Sequence, residues 1–137
     1  MIKYVAAYLG AGVAMAALDA VWLTTMANRL YRPVIGSIMA AKPDMTAAVA
    51  FYLIYLAGVV FFAVSPALKE TRLMRAVING AALGFVAYAT YDLTNQATLS
   101  VWSTKLTLID LAWGTALTAT AAATGYLAAR WAEGRFG

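Results

Sequence analysis

Cysteine and histidine are both absent from this 137-residue chain. Without cysteine there is no disulfide framework and no thiolate metal site. Without histidine the commonest general base and metal ligand is missing. Charge is scarce too. Asp, Glu, Lys and Arg together make up 12% of the chain, where soluble domains carry about 25%. What fills the sequence instead is apolar: 64% of residues are hydrophobic and the mean hydropathy is +0.75. Long apolar runs in a chain of this composition belong to the membrane class, and the length allows one domain.

Ten basic residues against six acidic ones give a net charge of +4. The basic residues are confined to short segments between apolar runs. That distribution reads as membrane topology and contact with membrane lipids, and it excludes nucleic acid as the expected partner.

Crossing a bilayer takes about 20 apolar residues, and four segments are long enough: residues 4–27, 46–66, 75–97 and 106–129. The expected fold is therefore an all-α membrane protein, a four-transmembrane-helix bundle forming one polytopic domain over residues 1–137. The first span follows Lys3, but its apolar stretch exceeds a secretion signal's core of about 7–15 residues, so it reads as retained. The only long connection, "NRLYRPVIGSIMAAKPDMT", contains Pro33, Gly36 and Pro43; its "YRPVIGSIMAA" part suits a short interfacial helix. "SPALKETR" and "LSVWSTK" are short, which makes their flanking helices antiparallel neighbours. The side holding the termini carries Lys3, Lys69, Arg72, Arg75, Arg130 and Arg135. The other carries Arg29, Arg32, Lys42 and Lys105. By the positive-inside rule both termini are expected in the cytoplasm.

Three carboxylates fall inside spans: Asp19, Asp92 and Asp110. Each costs on the order of 2.5–3.5 kcal/mol near a bilayer centre, so each needs partners, water or a proton. Asp19 lies beyond the middle of a rising span, by about 6 Å at 1.5 Å per residue. Asp92 lies past the middle of another rising span, and Asp110 near the start of a descending one. All three therefore share the leaflet opposite the termini, the outer one in this orientation. Helical spacing adds faces to depths. Gly80, Gly84, Tyr88, Asp92 and Asn95 form a stripe on the third span. Thr107, Asp110, Gly114, Thr118 and Gly125 form one on the fourth. Gly12, Ala16 and Asp19, then Trp22, align on the first, and Phe51, Tyr55, Gly58 and Phe62 on the second. Small residues let helix backbones approach, and each stripe ends in an acid or tyrosine.

The expected ligand-binding set is Asp19, Trp22, Tyr55, Tyr88, Asp92, Asn95, Asp110 and Trp113, a polar and aromatic pocket in one leaflet. Against it stands a plainer reading. The acids would then be a buried network holding the bundle together, partnered by Arg29, Arg32 or Lys105, while Trp22, Trp102 and Trp113, with Tyr31 and Tyr91, would belong to the interfacial aromatic belt. Asn79, on the side of the termini, suits an interhelical hydrogen bond, and Gly80-x-x-x-Gly84 suits close packing.

At "LDAVWL", "FYLIYLAG", "YATYDLTNQATL", Trp102 and "DLAWG" the chain resembles a small bacterial membrane-protein family, domain of unknown function 2177. The resemblance covers essentially the whole chain, with "TYDLTNQATL" its most specific part. It implies a multi-pass protein of the bacterial cytoplasmic (inner) membrane with four spans, and carries no activity over.

Four functions fit these residues. The first is binding of a lipid-like amphiphile, with aromatic walls for its apolar part and Asp, Asn and Thr for its head. The second is a membrane enzyme, with Asp19, Asp92 and Asp110 as its catalytic candidates. One of these acids would exchange protons with a lipid substrate, or all three would hold a divalent cation, the sole cofactor considered. The third is a proton- or cation-coupled transporter, for which four spans are few unless the chain forms a homo-oligomer. The fourth is a structural accessory subunit. Asp19 is the deepest acid, with no basic residue above Lys3 in its span. Asp19→Asn is thus expected to impair function more than stability.

Overall fold

A computed structural model describes residues 1–136. Four helices are long and apolar enough to cross a bilayer, and the described residues contain no strand. They are α1 (Ile2–Ile38), α2 (Met45–Glu70), α3 (Leu73–Thr98) and α4 (Thr104–Phe136). The termini lie together, tied by Lys3 Nζ to Glu133 Oε1 at 2.7 Å.

α1 runs well beyond the expected limit at residue 27. Pro33 would ordinarily break it, because proline lacks an N–H and its ring crowds the carbonyl four residues back. A widened π turn over Ala27–Tyr31 admits the proline, which sits in the first turn of the segment Arg32–Ile35. The chain leaves the helix after Gly36–Ile38, and α2 restarts behind Asp44. The Asp44 carboxylate caps the new helix, accepting from Thr46 N and Ala47 N at 2.9 and 3.1 Å.

α2 repeats the device. A π segment over Val59–Val64 precedes Pro66. Pro66 has no N–H to offer the Phe62 carbonyl, and Asn79 Nδ2 on α3 donates to that oxygen at 3.0 Å. The expected interhelical role of Asn79 takes this form: a neighbouring helix satisfies a backbone group that proline leaves free. The π segment also turns α2 about its axis. Tyr55 faces inward as the stripe requires and Phe51, though half exposed, borders the space beside it, but Phe62 is exposed, and Val59, Ala63 and Val64 take the buried face. On α1 the buried face is Ala7, Ala11, Met15 and Asp19. Ala16 lies outside it and Gly12 at its margin, so the small-residue stripe expected on the first span is displaced by one position.

α4 is the central helix, packed along its length against α1 and α3. Its contact with α3 depends on missing side chains. A Cβ on Gly84 would stand 2.2 Å from the Gly114 carbonyl, and one on Gly80 would stand 2.8 Å from the Thr118 carbonyl. α2 joins this three-helix core mainly through its half nearer the termini. Its other half, from Met45 to Gly58, stands off and buries only Leu56. That departure opens a space bordered by Tyr55, Tyr88 and Asp110 of the candidate set.

Candidate functional site

All three intramembrane acids are interior: Asp92 is 0% exposed, Asp110 3% and Asp19 8%. They do not form one cluster. Asp19 accepts from the Tyr52 hydroxyl and from Trp113 Nε1, the latter at 3.3 Å. Asp110 accepts from the Tyr31 hydroxyl at 2.5 Å, and Tyr31 in turn accepts from Trp22 Nε1 at 2.9 Å. The indoles of Trp22 and Trp113 stack with centroids 4.2 Å apart. Asp19 and Asp110 are therefore the two ends of a chain running through both tryptophans and Tyr31.

Asp92 is placed differently. Its carboxyl adjoins that of Asp110, close enough for the two to share a hydrogen bond, and no other group partners its oxygens. Arg29, Arg32 and Lys105, the basic partners that the polar-network reading requires, are all solvent- or lipid-exposed. Salt bridges among the described residues join only Lys3, Arg75 and Arg130 to Glu133 or Glu70, on the side of the termini. Among the described residues, no cationic side chain pairs with the intramembrane acids. Nor do any three carboxyl groups among the described residues converge closely enough to hold a metal ion, so these residues do not fit a three-aspartate divalent site.

A cavity of about 390 Å³ lies between the outlying half of α2 and the other helices. Its walls are Leu23 and Tyr31 from α1, Phe51 and Tyr55 from α2, Ala87, Tyr88 and Tyr91 from α3, and Asp110 from α4. Of the expected ligand-binding residues, Tyr55, Tyr88 and Asp110 line it. Asp92 stands behind Asp110, and Trp22 and Trp113 brace the wall through Tyr31 and Asp19. Asn95 is half-buried and does not line the cavity. Its backbone carbonyl accepts from Leu99 N at 2.8 Å and closes α3.

The polar work of "TNQAT" falls to Gln96. It donates to Thr104 Oγ1 at 2.9 Å and accepts from Thr107 Oγ1 at 2.7 Å. Trp102 adds a hydrogen bond to Thr107 at 3.0 Å and meets Tyr91 edge-on. Together these zip the α3–α4 turn above the cavity.

Sequence reasoning did not place Tyr31 or Tyr52 in the site. Tyr31 sits in a segment interrupted by Pro33 and Gly36, and only the π turn keeps it helical. Tyr52 did carry a signal, since it lies three residues before Tyr55 in an otherwise apolar run.

A larger groove of about 610 Å³ lies nearer the termini, between α1 and α2. Val5, Leu9, Val60 and Phe61 dominate its lining, and it contains no carboxylate side chain.

The family DUF2177, described as predicted membrane protein, matches residues 4–127. The chain belongs to that family, in agreement with the resemblance carried by "TYDLTNQATL". No curated protein and no solved structure matches it.

Proposed function

We propose that this membrane protein binds a lipid-like amphiphile in the cavity walled by Tyr31, Tyr55, Tyr88, Tyr91 and Asp110, within the outer leaflet of the bacterial cytoplasmic membrane. The observation that carries this reading is the half-detached α2. Between Met45 and Gly58 it buries one residue, yet it supplies Phe51 and Tyr55 to the cavity. A gap of this kind beside a bilayer admits a molecule laterally, without passage through water. The volume of about 390 Å³ lies within the range of ligand sites, about 300–1,000 Å³. The lining is mostly aromatic with one acid, which suits an apolar body and a polar head. The leaflet follows from the bias of basic residues, six on the side of the termini against four opposite.

Tyr88 offers a way to alter the cavity without touching Asp110. Tyr88 already lines the cavity, and a Cβ on Gly114 would stand 2.2 Å from its ring, so Gly114→Leu must displace that ring and reshape the cavity. The test is mass spectrometry of molecules that copurify in a mild detergent. Wild-type protein should retain a defined amphiphile that Gly114→Leu lacks. Identical lipid profiles, matching the bulk membrane in both proteins, would overturn the reading.

A further inference from the structure

Four tyrosines and Phe51 line this cavity together with a single carboxylate, that of Asp110. Two of the tyrosine hydroxyls are already committed. Tyr31 donates to Asp110, and Tyr55 shares a hydrogen bond of 2.8 Å with Thr118 Oγ1. What these residues contribute to the lining is therefore ring surface more than hydroxyl. Phe51 and Tyr55 stack with centroids 5.2 Å apart, making one continuous aromatic wall. An aromatic lining that includes one acid is suited to a positively charged group, which the ring quadrupoles attract.

Asp92 points the same way. It is 0% exposed, it adjoins Asp110 closely enough for the two carboxyls to share a hydrogen bond, and no other group partners its oxygens. No Lys or Arg among the described residues pairs with either acid. Two adjoining carboxyl groups in apolar surroundings leave a charge that only a shared proton or an external cation offsets. Of the two acids, Asp110 lines the cavity.

Building on the amphiphile reading above, we infer that the occupant's head is an organic ammonium, held between the rings of Tyr31, Tyr55, Tyr88 and Tyr91 with Asp110 as its counter-ion. Two sources share this chemistry: the amine head of a membrane aminolipid, and a cationic amphiphile arriving from outside. An anionic head is disfavoured by both Asp110 and Asp92.

The test uses full-length protein in uncharged maltoside micelles, titrated with three probes of equal chain length. One ends in a trimethylammonium group, one in its neutral tert-butyl isostere and one in a carboxylate. Tryptophan fluorescence reports binding, corrected against protein-free micelles. The ammonium probe should bind at least about tenfold more tightly than the isostere, the carboxylate should bind worst, and Asp110→Asn should abolish the preference. Equal binding of all three probes would overturn the ammonium inference and leave amphiphile binding standing; no binding of any probe would overturn both. Should Asp110→Asn fail to fold, the comparison of probes on wild-type protein decides alone. Competition by phosphatidylethanolamine then assigns the source. Displacement of the ammonium probe identifies a membrane aminolipid, and lack of displacement identifies a foreign cation; either result supports an ammonium site.

Discussion

Trp22 and Trp113 lie face to face, their ring centroids 4.2 Å apart and their planes 7° from parallel. Each follows an aspartate by three residues, and the two helices exchange partners across the stack. Trp113, which follows Asp110, donates to Asp19. Trp22, which follows Asp19, donates to Tyr31 and through it supports Asp110. The repeated Asp-x-x-Trp spacing is thus a reciprocal brace between α1 and α4, and it fixes the wall of the cavity.

Thermal unfolding of Trp22→Leu, Trp113→Leu and the double variant tests the brace. Stacked aromatic pairs contribute about 0.5–1.5 kcal/mol beyond burial, so the two losses should be non-additive by about that amount. Strict additivity would show that the indoles act independently.

The four spans were legible because about 20 apolar residues leave few alternatives in lipid, and the interior position of Asp19, Asp92 and Asp110 because an acid facing acyl chains is costly. The division of the acids was not legible. Depth alone put all three together, whereas the stacked indoles set Asp19 apart from the Asp92–Asp110 pair. The π segments were hidden as well. A periodicity of 3.6 carries Phe51 through Tyr55 and Gly58 to Phe62, but the wide turns over Val59–Val64 rotate the helix and leave Phe62 outside. The same kind of turn over Ala27–Tyr31 brings Tyr31, expected in an interfacial belt, onto Asp110.

Asp19 separates a structural tie from a binding group. Both of its oxygens accept hydrogen bonds, and it does not line the cavity. Asparagine can accept from Trp113 and donate to Tyr52, so Asp19→Asn should unfold near the wild-type temperature. Leucine leaves the Trp113 N–H unpaired, at a cost of about 1–3 kcal/mol. Equal stability of Asp19→Asn and Asp19→Leu in thermal melts would remove the tie.

Asn79 and Pro66 form a testable pair on the opposite side. Asn79→Leu should destabilise by about 0.6–1.7 kcal/mol, the range for interhelical hydrogen bonds in membranes. Pro66→Ala restores an N–H four residues beyond Phe62, so it should recover part of that loss. A double variant no more stable than Asn79→Leu would mean that Asn79 does not act through the Phe62 carbonyl.

Gly84 sets the distance between α3 and α4. Its Cβ position lies 2.2 Å from the Gly114 carbonyl and 2.6 Å from Thr118 Oγ1, and backbone cannot yield as a flexible side chain can. Gly84→Ala should cost about 1–3 kcal/mol. Unchanged unfolding would place the helices farther apart than described.

The direction of the bundle can be read with cysteine, since the native chain has none. A cysteine at Ser37, in the turn that ends α1, should react with a membrane-impermeant reagent applied outside intact cells. Labelling only from the cytoplasm would reverse the orientation and move the cavity to the inner leaflet.

The central claim, that an amphiphile occupies the cavity beside Asp110, is tested most directly by photo-crosslinking. A long-chain alkylammonium carrying a diazirine next to its head is irradiated with the protein, and the adducts are located by peptide mass spectrometry. Adducts should concentrate on Tyr31, Tyr55, Tyr88 and Tyr91 and disappear in Gly114→Leu. Adducts spread over the exposed apolar residues Val13, Ile78 and Phe85, with equal yield in wild type and Gly114→Leu, would contradict it.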